Sequence, residues 1–503
     1  FKLAWRNRNM KQARWICLML IGLTAQWVQA DWPQFRGLNS SGRSAESQIV
    51  TEFGPGENEL WSLETPLGHS SPIVHGSQVY LTGFDKEQRI LSILGVDRMN
   101  GVVAWQRHFQ PIEFEKGQPS FNPPSRTPAC DGEVVVAYFG SYGLVACDCA
   151  GEVLWERKMP VPKSYAGNAT SPIIVGNLVY LYRANYVDHF LMAVDKRSGE
   201  VVWKVDQDEP FDAELACTAC PIVVGDQLIV HSARSVQSYE LLTGKRRWLA
   251  KCATTATSTP IVIGKEVIVA AWNKMGEPSL RPPFPEYGKL LRENDQNQDG
   301  LIQREELPTL WIFHRPEGVE APQNGATVRF RFADKNGNGA ISSGEWETSI
   351  QELNAYRDTY KTHGMIAIPL NSRGIVDSDN IRVLETKSIP EVPSPISDDS
   401  YLYFIKNGGV LTCLEPESGR RIYRGRTSGR GTHYASPIIA GSYLVTTSGD
   451  GILSVIELGS ELKVVASNEM KEAVYATPAV KDGTLYVRTH RRLFAFAKTE
   501  SRP

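Results

Sequence analysis

A short phrase recurs along this chain and constrains its fold more than any other feature: a Ser or Thr, then Pro, then a β-rich run. Consecutive prolines of the phrase lie 56, 44, 49, 39, 135, 42 and 41 residues apart. Repeats of about 40–50 residues are typical of propeller blades, so the interval of 135 residues indicates one blade plus an insertion. The eight copies are Ser71-Pro72, Thr127-Pro128, Ser171-Pro172, Cys220-Pro221 (with a substituted first residue), Thr259-Pro260, Ser394-Pro395, Ser436-Pro437 and Thr477-Pro478.

Each copy predicts one blade of four antiparallel strands joined by Gly/Asn turns. The last copy supplies only three strands before the chain ends. The segment Glu59–Glu64, just before the first copy, provides the missing strand, so the two chain ends are expected to close a ring of eight blades and leave no open edge. In the third copy the predicted strands cover 172–175, 178–182, 190–194 and 201–204.

A second phrase, Gly-x-x-x-Trp, marks the end of the third strand and the start of the outer strand. An aromatic side chain at one fixed point of every outer strand would fill the wedge between neighbouring blades. We therefore interpret these residues as core packing and not as a cofactor site. The pairs are Gly101/Trp105, Gly151/Trp155, Gly199/Trp203, Gly244/Trp248 and the variant Gly419/Tyr423.

The longer phrase Asp-x-x-x-Gly-x-x-x-Trp, at Asp97 to Trp105 and Asp195 to Trp203, resembles the tryptophan-docking repeat of quinoprotein-type eight-bladed propellers. The segment DWPQFRG at 31–37 is similar to the opening of exported bacterial quinoprotein-like repeat proteins. The resemblance covers nearly all of 31–498 outside the insertion. It implies a mainly β fold, an eight-bladed quinoprotein-like β-propeller, but it leaves the function open because propellers serve many.

The insertion in blade five contains two copies of the twelve-residue EF-hand calcium loop. Oxygen ligands at positions 1, 3 and 5 surround a hard cation, Gly at position 6 makes a sharp turn, the position 7 carbonyl adds an oxygen and Glu at position 12 binds with both oxygens. A solvated turn cluster is the alternative, but two complete patterns argue against it. The predicted ligands are Asp295, Asn297, Asp299, Leu301 and Glu306 in loop 1, and Asp334, Asn336, Asn338, Ala340 and Glu345 in loop 2.

The two loops differ in charge, because loop 1 offers three carboxylates and loop 2 offers two. Charge tunes affinity, so loop 1 is predicted to bind Ca²⁺ more tightly. Helices are predicted at 286–293, 304–313 and 343–356, and Ile302 and Ile341, at position 8, are expected to pair the loops. The insertion has Met only at its edges, so we expect the calcium to clamp the structure and not to open a sensor groove.

The pattern of residues 1–30 is typical of a signal peptide. They hold five basic residues and no acid, then an apolar run over 15–28 that is short for a membrane span, then small residues before Asp31. An uncleaved anchor is the alternative. The predicted organisation is therefore a signal peptide at 1–30, propeller at 31–272, an inserted EF-hand pair at 273–363 and propeller again at 364–498. We expect an exported chain, periplasmic or secreted, with no membrane span after cleavage.

Charge and cysteine usage narrow the function classes. The rest of the chain carries 49 basic against 56 acidic side chains, which argues against a nucleic-acid partner. Seven cysteines follow the predicted signal peptide, an odd number, so disulfides do not organise the fold. Cys217 and Cys220 have redox or zinc spacing, but no second pair accompanies them, and we interpret the cysteines as structural.

Both long excursions, the insertion and the connection over 109–127, are predicted to project from one face of the disc. The residues that enter each inner strand also line this face, which is the usual ligand site of a propeller. The alternative is that they only satisfy turn backbones. These rim residues are His69, Ser70, Arg126, Asn168, Thr170, Thr218, Ser258, His433, Tyr434 and Tyr475.

Three functions compete. The first, which we favour, is a non-catalytic binding or assembly platform of the bacterial cell envelope that holds Ca²⁺ in two loops and meets an envelope protein or glycan at the funnel face. The second, a dehydrogenase dependent on pyrroloquinoline quinone, follows from the resemblance. The Cys-Cys dipeptide typical of that family and a Cys-x-x-Cys-His haem motif are both missing from the sequence, so this quinone is not expected as a cofactor. The third, a hydrolase using His69, His433 or Asp450, has no supporting motif.

Overall fold

The computed structural model describes residues 31–44, 48–117, 123–164, 167–209, 211, 218–232, 234–252, 254–314 and 325–498. The predicted signal peptide, Cys217 and the middle of the 109–127 connection lie outside these described residues. Within the described part of the chain, no helix is long and apolar enough to cross a membrane.

Eight antiparallel sheets form an eight-bladed β-propeller, as predicted. Blade one consists of Ile73–His75, Gln78–Asp85, Ile90–Asp97 and Val103–Phe109, and blade two of Ala129–Cys130, Val134–Phe139, Gly143–Asp148 and Val153–Lys158. Blade three consists of Ile173–Val175, Leu178–Ala184, His189–Asp195 and Val201–Asp206, and blade four of Ile222–Val224, Gln227–His231, Ser235–Glu240 and Arg246–Lys251. Blade five consists of Ile261–Ile263, Glu266–Ala271, Gly364–Pro369 and Arg382–Glu385, and blade six of Ile396–Ser397, Leu402–Lys406, Val410–Leu414 and Arg421–Arg426. Blade seven consists of Ile438–Ala440, Tyr443–Thr447, Ile452–Glu457 and Lys463–Glu469, and blade eight of Ala479–Lys481, Thr484–Arg488, Arg492–Phe496 and Glu59–Glu64.

The chain ends close the ring as the sequence predicted. Glu59–Glu64 pairs antiparallel with Arg492–Phe496 and becomes the outer strand of blade eight. Two blades gain a fifth strand: Gly374–Val376 adds in parallel to the outer strand of blade four, and Arg43–Ser44 adds in parallel to the inner strand of blade seven.

The Ser/Thr-Pro phrase forms a closed ring of hydrogen bonds around the propeller axis. The residue before each proline donates its backbone N–H to the side chain of the equivalent residue in the next blade. Seven of these bonds end on hydroxyl oxygens at 2.9–3.0 Å. The eighth runs from Ser171 N to Cys220 Sγ at 3.4 Å. The ring closes where Thr477 N donates to Ser71 Oγ, so a hydroxyl, or in one case a thiol, links every pair of neighbouring blades.

The outer-strand tryptophans pack between blades. Trp61, Trp105, Trp155 and Trp203 each lie flat on a turn glycine of the following blade, where a Cβ atom would come within 2.5–2.6 Å of the ring. Each indole also donates its Nε1–H to a backbone carbonyl of that blade. Because a Cβ atom would clash with the packed indole, the phrase pairs each Trp with a Gly of the next blade.

The expectation of an aromatic residue in every outer strand is wrong for two blades. Blade five ends in Arg382–Glu385, and its backbone at Leu384 approaches Gly419 of blade six directly. In blade seven Ala466 pairs with Val455 at the position where blade three has Trp203. There the wedge is filled by Ile49 and Phe53, because the N-terminal segment reaches this blade before it closes the ring.

The N-terminal segment also plugs one end of the central channel. Trp32 bridges to Val74 of blade one, and Cys130 N of blade two donates to Pro33 O. Arg36 is fully buried and donates to Pro395 O of blade six; this burial lowers its pKa to about 9. The segment then pairs with blade seven, so it contacts blades one, two, six and seven around the channel.

The insertion lies between the second and third strands of blade five, which pair with each other. It has its own core around Leu290, Phe330 and Trp346. Its described residues form three α-helices, α1 (Tyr287–Asn294), α2 (Phe330–Ala333) and α3 (Ser343–Asp358), and the 3₁₀ turn Pro278–Leu280. Two further 3₁₀ turns lie outside the insertion: Ser378–Asn380 in blade five and Leu38–Ser40 in the N-terminal segment. Short strands pair Ile302–Gln303 with Ala340–Ile341 and Trp311–Phe313 with Ala326–Thr327.

The helix predicted at 304–313 is wrong. This segment forms a turn, an extended stretch and the strand Trp311–Phe313. Pro308 explains the difference, because its ring lacks an N–H and disfavours a helical conformation of the preceding Leu307. Loop 1 therefore has a helix on its N-terminal side only.

Candidate calcium loops and channel mouth

Loop 1 (295–306) is a tight turn held by its own predicted ligands. Asp295 accepts the N–H of Gln298 at 2.7 Å and that of Gly300 at 3.0 Å. Glu306, at position 12, accepts the N–H groups of Gln296 and Gln303 at 2.9 Å each. These bonds bring the carboxylates of the first and last loop positions to the same turn.

Loop 2 (334–345) repeats this framework position by position. Asp334 accepts the N–H of Gly337 at 2.8 Å and that of Gly339 at 3.1 Å. Glu345 accepts from Lys335 at 3.0 Å and from Ser342 at 2.9 Å. The N–H of Ser342 lowers the pKa of the Glu345 carboxyl, so this group is ionised at neutral pH.

The oxygens at positions 3 and 5 are ordered in the same way in both loops. Asn297 accepts the N–H of Asp299 at 2.8 Å, and Asn336 accepts that of Asn338 at 2.9 Å. Asp299 and Asn338 then accept the N–H of position 7, at 2.9 Å in each loop. The two loops thus present matching sets of carboxylate and amide oxygens, which are the ligands that Ca²⁺ prefers.

The loops are paired through their backbones. Ile302 and Ile341 face each other in the short antiparallel strand pair, as the sequence predicted. Tyr287 of α1 adds a second link, because its hydroxyl donates to Gly300 O of loop 1 at 3.0 Å and approaches Ile341 O of loop 2 at 2.7 Å.

Sequence reasoning missed the position 9 residues, Gln303 and Ser342. Gln303 donates its side-chain Nε2–H to Asp299 at 2.8 Å, and Ser342 caps α3 in a reciprocal arrangement with Glu345. The twelve-residue pattern already contained this signal, because position 9 often reaches the ion through a water molecule.

Over the part of the chain that the structure describes, no group of three or more His, Cys, Asp or Glu side chains stands close enough to hold a metal ion together. Half of the ten predicted ligands are amides or backbone carbonyls and lie outside such a count. The carboxylates themselves are engaged with loop N–H groups. The hard-oxygen donor set nevertheless fits Ca²⁺, and thiol and imidazole ligands are not part of the pattern.

The insertion emerges beside the channel mouth, on the face that the sequence predicted. Trp272, at its root, accepts the N–H of Thr255 from the connection between blades four and five. Asn273 bonds the carbonyl of Tyr360 at the other end of the insertion. The start of the insertion is therefore anchored to the rim of the mouth, and its two ends are bonded to each other.

Three predicted rim residues come together at the mouth. The ring of Tyr475 packs 4.8 Å from that of His69 and 5.6 Å from that of Tyr434, centroid to centroid. His490, which sequence reasoning missed because it lies in a turn of blade eight, stands 5.7 Å from His69. We call these four half-buried residues the mouth cluster.

Most of the other rim residues are buried, and several hold turns or neighbouring blades together, as the alternative interpretation stated. Ser70 bonds Thr82 and Arg488, and Arg126 forms a buried ion pair with Glu115 at 2.6 Å. Burial lowers the pKa of His433. The remaining buried or half-buried members are Asn168, Thr170, Thr218 and Ser258, of which Asn168 and Thr218 donate to the backbone carbonyls of Ala184 and Thr257.

Comparisons with known proteins agree with this architecture. A family model described as outer membrane protein assembly factor BamB matches residues 55–187 and 93–278, and a model described as an EF hand matches residues 327–350, which contain loop 2. A search of curated proteins found no significant match.

Solved structures share the fold at low identity. BamB from Moraxella catarrhalis is 11% identical with a TM-score of 0.52, covering 88% of this chain and 98% of that one. Quinohemoprotein alcohol dehydrogenase from Comamonas testosteroni is 13% identical with a TM-score of 0.54, covering 94% and 82%. A europium-containing methanol dehydrogenase is 11% identical with a TM-score of 0.51, covering 93% and 98%. The chain is therefore an eight-bladed β-propeller in which residues 55–278 match the BamB family model and residues 327–350, within the insertion of blade five, match an EF-hand model.

Proposed function

We propose that this chain is an exported, calcium-binding β-propeller that serves as a non-catalytic binding or assembly platform of the bacterial cell envelope. The observation that carries the calcium part is the shared hydrogen-bond framework of two complete twelve-residue loops. The match to the BamB family model supports the envelope location.

Each loop would hold one Ca²⁺ through its side chains at positions 1, 3, 5 and 12 and its carbonyl at position 7. Bound calcium supplies positive charge that offsets the clustered carboxylates and fixes the loop. Asp295 and Glu306, and likewise Asp334 and Glu345, come from opposite ends of their loops, so their joint ligation ties the chain before each loop to the chain after it. This arrangement favours a structural clamp that holds the insertion beside the mouth.

Isothermal titration of the full chain with CaCl₂ tests the calcium sites. We expect two sites, with Asp295→Ala removing the tighter one and Asp334→Ala the weaker one, because loop 1 has the additional carboxylate Asp299. Glu293→Ala is the matched control, since it removes an exposed acid of α1 outside both loops. Stronger residual binding in Asp295→Ala than in Asp334→Ala would refute the order, and no calcium-dependent heat would refute the sites.

The platform part rests on the shape of the channel. The N-terminal plug fills one end, so a ligand has access from the mouth, where the mouth cluster offers half-buried Tyr and His rings and the insertion stands beside it. Capture of partners from a bacterial envelope extract, with Ca²⁺ or with EDTA, tests this idea. We expect a protein or glycan that the Tyr434→Ala/Tyr475→Ala variant fails to retain and that Val201→Ser/Val202→Ser, on the outer rim, retains. Equal capture by both variants would place the contact elsewhere.

A quinone-dependent dehydrogenase is the second candidate, because the dehydrogenases named above share the fold. Two arginines near the mouth are already engaged: Arg126 pairs with Glu115, and Arg488 is buried against Ser70 and Pro66, so neither is open to an acidic cofactor. Adding pyrroloquinoline quinone and calcium, then recording the visible spectrum and dye-linked alcohol oxidation, separates the two. Sustained turnover would overturn the platform proposal.

A further inference from the structure

Two thiols of blade two are in direct contact. Cys130 ends the inner strand, Cys149 follows the third strand, and their sulfur atoms lie 4.0 Å apart. The sheet register explains the contact. Cys130 and Cys147 both pair with Val135, which lies between them, and Cys149 comes two residues after Cys147. The two cysteines are 19 residues apart in sequence, but the fold brings their sulfur atoms into contact.

The two members of this pair have different accessibility. Cys130 is buried at 2% exposure, whereas Cys149 is partly exposed. The contact with Cys130 also lowers the pKa of the Cys149 thiol, which favours the thiolate. A partly exposed thiolate beside a second thiol is the arrangement in which disulfide exchange proceeds.

The other described cysteines lack these features. Cys147, Cys220, Cys252 and Cys413 are buried at 0–2% exposure. Burial raises the pKa of Cys147, Cys252 and Cys413 to about 12 and raises that of Cys220 as well. Oxidation is therefore expected to select the Cys130–Cys149 pair.

We propose that Cys130 and Cys149 form a thiol–disulfide modification site, at which a small disulfide such as oxidised glutathione converts the two thiols into an intrachain cross-link of blade two. The Cys149 thiolate attacks one sulfur of the oxidant and releases one glutathione. Cys130 then attacks the Cys149 sulfur of the mixed disulfide and releases the second. The two protein thiols lose two electrons and two protons, and one oxidised glutathione becomes two reduced ones.

The cross-link would act on the contact between blades one and two. The carbonyl of Cys149 accepts the indole N–H of Trp105 at 2.9 Å and the side-chain amide of Gln78 at 3.3 Å. Both donors belong to blade one. A bond from Cys149 to the inner strand would restrain the segment that receives the docked tryptophan, so the oxidised form should unfold at a higher temperature than the reduced form.

Differential alkylation with peptide mapping tests the proposal on the full chain. The reduced protein is equilibrated with oxidised glutathione, free thiols are blocked, and the thiols released by reduction receive a second label. We expect two fewer free thiols and one cross-linked peptide pair that contains Cys130 and Cys149. Cys149→Ser should show no cross-link and no rise in unfolding temperature on oxidation, and Cys147→Ser, the matched control, should keep both.

Three results would overturn the proposal: an unchanged thiol count, a cross-link through any other cysteine, or glutathione retained on Cys149 without a cross-link. The wild-type peptide map decides the question by itself if a variant does not fold. The result is independent of calcium binding, because blade two is separate from the insertion.

Discussion

At the scale of single residues, Cys220 shows what the ring of hydrogen bonds requires. It is the one member of the ring without a hydroxyl, yet its sulfur accepts the N–H of Ser171 at 3.4 Å and its own N–H donates to Thr259 at 3.0 Å. Burial raises the pKa of its thiol, so the acceptor is neutral. A small buried acceptor of either kind therefore fits the position, and this explains how Cys replaces Ser or Thr in one copy of the phrase.

This role predicts a difference between two substitutions. Cys220→Ser supplies a hydroxyl acceptor like those of the other blades, whereas Cys220→Ala leaves the buried N–H of Ser171 without an acceptor. An unsatisfied buried donor costs about 1–3 kcal/mol. We expect the free energy of unfolding of the Ser variant to exceed that of the Ala variant by about this amount in urea titrations. Equal stability of the two would show that the sulfur contact contributes nothing.

At the scale of structural elements, a comparison of two glycines of blade three distinguishes the effect of steric packing from that of backbone conformation. Gly199 and Gly176 both have left-handed φ angles, of 70° and 60°. A Cβ atom at Gly199 would lie 2.6 Å from the ring of Trp155, whereas nothing stands within 4 Å of that position at Gly176. Only the first glycine receives a docked tryptophan.

Alanine at these two positions should therefore have unequal effects. Gly176→Ala carries only the cost of a left-handed non-glycine residue, about 1–2 kcal/mol. Gly199→Ala carries the same cost and also displaces Trp155, and overpacking of a filled site adds about 1–3 kcal/mol. Thermal unfolding followed by tryptophan fluorescence should show a larger loss for Gly199→Ala. A loss equal to that of Gly176→Ala would contradict the docking interpretation.

The insertion offers a second test at this scale. Tyr287 touches the backbones of both loops through one hydroxyl, so it can couple calcium binding in one loop to the conformation of the other. We expect Tyr287→Phe to weaken this coupling, with the two binding steps becoming more independent in a calorimetric titration. Tyr356→Phe, on α3, is the control. Unchanged titration curves in Tyr287→Phe would show that this hydroxyl does not couple the two loops.

The sequence predicted secondary-structure elements correctly where a short local pattern determines them. The strands of each blade, the position of the insertion and the pairing of Ile302 with Ile341 followed from turn residues and from loop spacing. The helix predicted at 304–313 does not form, because Pro308 disfavours a helical conformation of the residue before it. The calcium ligands remain a prediction, supported by the matching loop framework.

What the sequence could not supply are contacts between distant segments. The ring of hydrogen bonds, the filling of the blade-seven wedge by Ile49 and Phe53, and the approach of His490 to His69 each join segments that are far apart in sequence. No local spacing encodes such contacts. The rim residues show the same limit, because their burial distinguishes the mouth cluster from residues such as Ser70 that only hold turns.

At the scale of the whole molecule, the closed ring makes every blade interface an internal one. The hydrogen bonds run through all eight blades and return to Ser71, and the outer strand of blade eight comes from the N-terminal side of the chain. An open stack of repeats would have two weak ends. Here the last interface, between blades eight and one, contains the same packing as the three interfaces that follow it, with Trp61 lying on Gly101.

The closed ring predicts that the interface between blades eight and one is as important for stability as any other blade interface. Trp61→Ala and Trp155→Ala both remove an indole that packs on a glycine of the next blade and bonds its backbone, at 2.9 Å and 2.8 Å respectively. Each should lower the free energy of unfolding by about 3–5 kcal/mol, the usual cost of truncating a packed tryptophan. Hydrogen exchange of Glu59–Glu64 should then quicken together with that of the neighbouring blades, because loss of the closing strand exposes both edges of the ring. A much smaller loss in Trp61→Ala, with rapid exchange confined to Glu59–Glu64, would mean that the junction opens independently and that the propeller does not need closure to remain folded.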